Sequence, residues 1–238
     1  MVLITGASGG LGGALGLAFA QAGYRVALHY HNNEQKALRL ASVLRRTGSH
    51  AQAFQADVGK SVDVARLFQE FSQHYDRLDV LVHAAGSDKP ALMVRMGLDP
   101  FDEVLRTHLT GGFLCTQAAA RLMKRRKSGA IVYIGSIVGL KGAKGDCHYA
   151  AAKAGLVALA KTAARELGPY KISVNVVLPG YMMTSMGRTT GPGVARKAKQ
   201  DNVFHRWTDP KESAAMIVQL CRSRWISGQV LNLDGRIL

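Results

Sequence analysis

The chain has 238 residues, with 31 lysines and arginines against 16 acidic residues, for a formal charge of +15. Close to half of it is apolar, so it can bury a sizeable core, and its length suits a single globular domain over 1–238. No stretch approaches the roughly eighteen apolar residues of a membrane span, no charged leader precedes MVLITG, and Cys115, Cys147 and Cys221 lie too far apart for a disulfide framework or a C-x-x-C metal site, so a cytoplasmic protein without metal is expected.

In chain order, VLIT at 2–5 predicts a short strand, followed by TGASGGLG and a helix over 11–22. YRVALHY at 24–30 predicts a second strand, then a helix over 34–47, a strand over 51–55, a helix over 61–76 and the strand DVLVH at 79–83. A long helix over 100–126, a strand over 130–134, a helix over 149–168, a strand over 172–178, a helix over 211–223 and a strand over 229–233 follow. The continuous apolar strands fit burial on both faces, and the alternation argues for the α/β class: a doubly wound, Rossmann-type parallel sheet of about seven strands in three α/β/α layers. Residues 181–207, with several glycines, a proline and basic side chains, lack a clear pattern and read as a substrate lid.

The glycine cluster at Thr5 to Gly12 closes the first strand and opens a helix, as a dinucleotide site requires. Glycine permits a tight turn and close approach of the main chain, and the helix N-terminus favours phosphate. At the end of the second strand, HYHNNEQK places no carboxylate before Glu34. His29, His31, Asn32 and Asn33 can donate hydrogen bonds there, so a 2′-phosphate is tolerated and NADPH is expected over NADH; as a plainer reading, HNN is a polar turn whose asparagine caps the next helix.

YAAAKAGL at 149–156 sets a phenol and an ammonium four residues apart on a helix-forming segment, hence on one face. Such a pair also arises by chance. Its company decides: TGASGGLG at 5–12, AD at 56–57, HAAG at 83–86, GS at 135–136, YAAAK at 149–153 and NVVLPG at 175–180 with Thr184 together resemble the short-chain dehydrogenase/reductase family over essentially the whole chain. SIVGLKGAKGDCHYAAAKAGL and VNVVLPGYMMTSM look most like the branch that reduces 3-oxoacyl groups on acyl carrier protein in fatty-acid synthesis.

The resemblance implies that Tyr149 protonates a carbonyl oxygen as hydride arrives, that Lys153 lowers the phenol pKa and holds ribose hydroxyls, and that Ser136 donates to the substrate oxygen. It implies cofactor contacts at Gly6, Ser8, Gly10, Leu11 and Gly12, at Asp57 and Val58, at Ala85 and Gly86, and at Pro179, Gly180 and Thr184, beside Tyr149 and Lys153. His31 and Asn32 are the candidates for the 2′-phosphate. In plainer terms Asp57 is a turn residue and Thr184 a helix cap.

Two positions depart from the family pattern. His83 stands where an asparagine precedes alanine and glycine, and His108, in RTHLTGG, stands where an asparagine helps hold a water of the proton relay. Histidine can accept and donate, so His108 is expected to maintain or replace the relay; alternatively it packs and the relay is impaired. Gly9, where NADP-preferring relatives often carry arginine, weighs against NADPH without reversing the expectation. His148, beside Tyr149 but about 100° away around the helix, is assigned no catalytic role.

The charge invites an acidic partner. No aromatic side chains interleave with it to stack bases, so nucleic acid is the weakest reading. The run Lys124, Arg125, Arg126 and Lys127 could dock an acyl carrier protein, or simply complement its helix dipole. The resemblance also implies a homotetramer. A reductase of some other ketone or alcohol, and a nucleotide-sensing or nucleic-acid-binding protein that has lost the chemistry, are the rival functions.

Overall fold

The computed structural model describes residues 1–237, the side chain of Thr189 aside. The apolar runs form strands β1 (Val2–Thr5), β2 (Val26–Tyr30), β3 (Ala51–Gln55), β4 (Val80–His83), β5 (Gly129–Ile134), β6 (Ile172–Leu178) and β7 (Val230–Asn232). All pair in parallel in the order β3-β2-β1-β4-β5-β6-β7. Every residue of β1 and β4 is buried, as strands covered on both faces must be.

Side-chain alternation along these strands feeds two cores. Leu3, Leu81, Ile131 and Tyr133 join helices α3 (Ser61–His74), α5 (Gly111–Arg126) and α7 (Cys147–Leu167) on one face. Val2, Ile4, Val80, Val82 and Val132 join α1 (Gly10–Gln21), α2 (Glu34–Arg46) and α10 (Pro210–Arg222) on the other. The three predicted layers are therefore present.

Local interactions move some predicted boundaries. The second strand begins at Val26 and not at residue 24, because Tyr24 completes the end of α1: its N–H reaches the Phe19 carbonyl at 3.0 Å and its ring meets Phe19 edge-on at 5.1 Å. The helix predicted over 100–126 is α4 (Leu98–Leu105), a single π-turn (Arg106–Thr110) and then α5. The Gly111 N–H reaches back to Arg106, and a Cβ on Gly111 or Gly112 would lie 2.9 Å from Val58 or Leu156, so two glycines admit the close packing that follows the bulge. Helix α7 starts at Cys147, two residues earlier than expected.

The segment without a sequence pattern holds two short helices, α8 (Ser185–Thr189) and α9 (Pro192–Gln200), separated by Gly191 at φ +87° with Pro192 as the first helical residue. The Tyr181 hydroxyl bonds the Gly187 carbonyl, and Trp207 Nε1 donates to the Ala195 carbonyl at 3.1 Å, tying both helices to their flanks. A four-residue helix, α6 (Val138–Lys141), follows β5. No helix among the described residues is long and apolar enough to cross a membrane.

Candidate active site

The strand order reverses between β1 and β4, and there the carboxyl ends of the strands open into a cleft of about 1530 Å³. Every site residue expected from the sequence lines it, from Gly6 and the glycine loop through His31, Asn32, Asp57, Val58, Ala85, Gly86 and His108 to Ser136, Tyr149, Lys153, Pro179, Gly180 and Thr184.

The donor set at the glycine loop fits a dinucleotide. Helix α1 is capped by Gly9, which has no side chain to occupy the first-turn N–H groups. Gly6 takes φ +69° and lies so close to β4 that a Cβ would sit 2.8 Å from Ala84 and Ala85. A Cβ on Gly10 would fall 2.4 Å from the Thr184 methyl, so the glycine loop and the segment after β6 meet here with no side chain between them. Thr184 also caps α8, accepting weakly from the Gly187 N–H at 3.4 Å.

At the end of β2 the expected donors divide. His29 is buried and committed: its Nδ1 accepts from the Gly6 N–H at 3.1 Å and its Nε2 donates to the Ala56 carbonyl at 3.0 Å, so it braces the glycine loop and offers nothing to a phosphate. Burial draws its pKa down to about 4. Asn33 caps α2, its Oδ1 accepting from the Lys36 N–H at 3.3 Å. His31 and Asn32 remain exposed at the cleft, joined by Lys36, which sequence reasoning missed although it stands one helical turn beyond them. The Asp57 carboxylate accepts from the Gly59 N–H at 3.0 Å and faces Lys60 Nζ at 3.7 Å, as a turn residue would, while still lining the cleft.

Helix α7 brings Tyr149 and Lys153 together as the four-residue spacing requires: Lys153 Nζ lies 5.3 Å from the phenol ring centre and donates to the Ile134 carbonyl at 2.6 Å. Ser136 follows the end of β5 and its Oγ accepts from the Val138 N–H at 3.2 Å, which leaves the hydroxyl hydrogen to point elsewhere. The expected lowering of the Tyr149 pKa by Lys153 is not found. Burial raises the phenol well above its ordinary value, Asp88 and Asp146 push it the same way, and only the Ser136 hydroxyl opposes them. Burial also draws the Lys153 ammonium down to about 7, against the partial support of Asp88. Desolvation therefore dominates both groups.

The two unexpected histidines form one system. His83 Nε2 donates to the His108 carbonyl at 3.1 Å, so its Nδ1 accepts from the Thr5 hydroxyl at 3.0 Å, and the Thr5 oxygen in turn accepts the Ala84 and Ala85 N–H groups. This chain links β1, β4 and the π-turn, and the His83 and Thr5 side chains lie behind the cleft wall formed by Ala84, Ala85 and His108. The His108 ring is buried against Gly86, whose Cβ would fall 2.1 Å from it, and stands edge-on to Tyr149 at 5.3 Å. Its Nε2 meets Ser87 twice, the carbonyl at 2.8 Å and the N–H at 3.2 Å; the shorter contact places the hydrogen on Nε2, and Nδ1 is left as a buried acceptor without a partner. Burial and then Lys153 hold this imidazole well below its ordinary pKa, hence neutral.

His148 is bound on both nitrogens, Nδ1 to the Tyr149 N–H at 2.7 Å and Nε2 to the Lys89 carbonyl at 3.0 Å, which supports giving it no acid–base role. Sequence reasoning passed over Ser87, Asp88 and Asp146, which line the same cleft; in the sequence they read as loop residues with no motif. Lys124 to Lys127 are exposed at the end of α5, where β5 begins, so the length of β5, roughly 20 Å at 3.3 Å per residue, separates them from Ser136. Lys124 Nζ rests 4.0 Å from the Tyr170 ring centre.

A family model described as enoyl-(acyl carrier protein) reductase matches residues 6–235. A 3-oxoacyl-[acyl-carrier-protein] reductase of Synechocystis sp. is 36% identical over 99% of this chain and 95% of that protein. The 3-oxoacyl-[acyl-carrier-protein] reductases FabG of Staphylococcus epidermidis and Staphylococcus aureus are each 34% identical over 98% of this chain and 96% of theirs. With these matches running the length of the sheet, the glycine loop and the Tyr149–Lys153 pair, the chain belongs to the short-chain dehydrogenase/reductase family.

Proposed function

We propose that the chain reduces a 3-oxoacyl thioester, borne by acyl carrier protein or coenzyme A, to the 3-hydroxyacyl form at the expense of NADPH. The observation that carries this reading is the meeting of Tyr149, Lys153 and Ser136 in a cleft that also holds a dinucleotide-type glycine loop. The names of its relatives point to the acyl thioester. When bound, the nicotinamide supplies a hydride to the carbonyl carbon. Tyr149 delivers the proton to the oxygen, and the Ser136 hydroxyl donates to the same oxygen, strengthening as negative charge develops there. A phenol held in its protonated form by burial suits this direction, since the reduction consumes a proton.

Lys153, with a pKa of about 7, exchanges protons readily near neutrality and stands at the Tyr149 ring to restore what the phenol gives up. His108, neutral and with Nδ1 unpartnered, supplies the acceptor that holds the relay water beside that pair. His31, Asn32 and Lys36 receive the 2′-phosphate of NADPH. Residues 1–238 act as one nucleotide-binding domain, with residues 181–207 as its substrate lid.

The protein works in the cytoplasm as a homotetramer, and an acyl carrier protein docks on Lys124, Arg125, Arg126 and Lys127.

The family model's description favours a second reading, reduction of an enoyl thioester. Against it, the relatives that match nearly end to end are named 3-oxoacyl-[acyl-carrier-protein] reductases. Turnover with NADPH of a 3-oxoacyl thioester, set beside the matching enoyl thioester, simple ketones and sugars, tests the proposal. Reduction of the enoyl compound alone, or of a sugar or simple ketone alone, contradicts it, as does salt-dependent nucleic-acid binding without turnover.

A further inference from the structure

Besides His108 Nδ1, two buried side-chain oxygens among the described residues have no hydrogen-bond partner: Ser87 Oγ and Asp88 Oδ1. They are consecutive on the loop that leaves β4, and both residues line the cleft. The Asp88 side chain is only 9% exposed. Its nearest cationic candidate is His148, whose Nε2 lies 3.8 Å away, yet both His148 nitrogens are already engaged. Ser87 is held by its backbone on His108, while its hydroxyl is buried and has no partner. A second loop, carrying Asp146, is stitched alongside by the Ala91 N–H on the Gly145 carbonyl at 2.9 Å.

A buried acceptor left without a donor is destabilising, and a ligand that supplies the donor removes that cost. Burial also holds the Asp88 carboxyl above the usual carboxylate range, with His148, the Lys89 backbone and Lys153 as the opposing influences. What the pair lacks is a donor. Asp88 can only accept when ionised, while Ser87 can accept or donate. The location is the substrate's: Asp88 approaches His148, whose ring holds the backbone of Tyr149, and Ser87 holds His108, whose ring faces the Tyr149 phenol.

We propose that Asp88, with Ser87 beside it, forms a specificity-determining subsite that accepts a hydrogen bond from a donor group on the substrate, either an amide N–H of the thioester arm or a hydroxyl of the acyl chain. This rests on the reading of the cleft as a carbonyl-reducing site for acyl thioesters. It adds a preference within that class that neither the triad nor the glycine loop supplies.

The test compares Asp88→Ala and Asp88→Asn with the unaltered protein on three substrates. These are a 3-oxobutanoyl N-acetylcysteamine thioester, with an amide N–H in its arm, an S-ethyl 3-oxobutanoyl thioester with no donor, and an S-ethyl 3-oxoacyl thioester with a hydroxyl on its acyl chain. In Asp88→Ala the KM of the donor-bearing substrate relative to the donor-free one rises about tenfold, the factor that corresponds to about 1.4 kcal/mol. Asp88→Asn falls between, because its amide oxygen still accepts. The substrate whose KM moves identifies the arm or the acyl chain as the source of the donor.

Thermal midpoints are measured alongside, and that of Asp88→Asn, which keeps an acceptor for the Lys89 backbone, holds steady. Equal KM changes on all three substrates, no change on any, or a fall in midpoint with a uniform loss of activity overturns the subsite and leaves the thioester reading intact. Failure of the unaltered protein to turn over any of the three overturns both.

Discussion

The imidazole of His108 stands edge-on to the phenol of Tyr149, ring centres 5.3 Å apart and planes at 89°. The contact exists because the chain makes a π-turn at Arg106–Thr110, which swings His108 inward while His83 holds its carbonyl from below. If the unpartnered Nδ1 serves the proton relay, His108→Leu, which fills the space on Gly86 without an acceptor, lowers kcat at least tenfold with little change in KM. His108→Asn restores most of the loss, because its side chain can again accept. A kcat and pH profile unaltered by both substitutions would show that the ring only packs.

His83 makes stability depend on pH in a definite direction. Its folded pKa is about 3 against 6.5 for a free imidazole, with burial as the largest cause. Below 6.5 the unfolded chain binds a proton that the folded chain refuses, so this contribution to stability is intact above 6.5 and is lost as pH falls towards 3. The slope from this group is about 1.4 kcal/mol per pH unit. Chemical denaturation between pH 7 and 4 should give a shallower slope for His83→Asn by that amount, whatever the variant does to stability at pH 7. An unchanged slope would mean that His83 is protonated in the fold.

At the other end of the cleft, the proposed discrimination between NADPH and NADH falls to His31, Asn32 and Lys36, since His29 and Asn33 are engaged elsewhere. Lys36→Ala and His31→Ala should each raise the KM for NADPH several-fold, the double variant by more, with the KM for NADH little changed. His29→Ala should instead weaken both cofactors alike, because it releases the Gly6 N–H and the glycine loop. Preference of the unaltered protein for NADH would contradict the assignment.

Reversing Lys124 and Arg126 to glutamate should raise the KM for carrier-bound substrate about tenfold, and more at low salt, while a small thioester is unaffected. Equal effects on both substrates would place the defect in the fold; the Lys124 contact with Tyr170 is the first suspect.

Much of this was legible in the sequence, and for physical reasons. Strands buried on both faces announce themselves as unbroken apolar runs, so VLIT and DVLVH predicted β1 and β4 closely. Glycines that must admit another backbone or a ligand leave a mark at fixed spacing, and the four-residue interval of Tyr149 and Lys153 is a helical one. The π-turn left no such mark, because one extra residue within an apolar helical pattern does not disturb its composition. Nor could residue type alone show that His29 faces inward to Gly6 and Ala56 while His31 stays at the surface. The raised phenol of Tyr149 depends on burial by distant segments, and Asp88 and Ser87 acquire meaning only when their missing partners can be counted.

In the proposed reaction Tyr149 gives a proton to the carbonyl oxygen of a 3-oxoacyl thioester. This step is tested most directly by the loss of reduced-nicotinamide absorbance when NADPH and such a thioester meet the unaltered protein and Tyr149→Phe. Steady turnover is expected for the first and a drop in kcat/KM of about a thousandfold or more for the second, with cofactor binding retained in both. Turnover that survives in Tyr149→Phe, or an unaltered protein inert towards the thioester while active on another carbonyl, would contradict it.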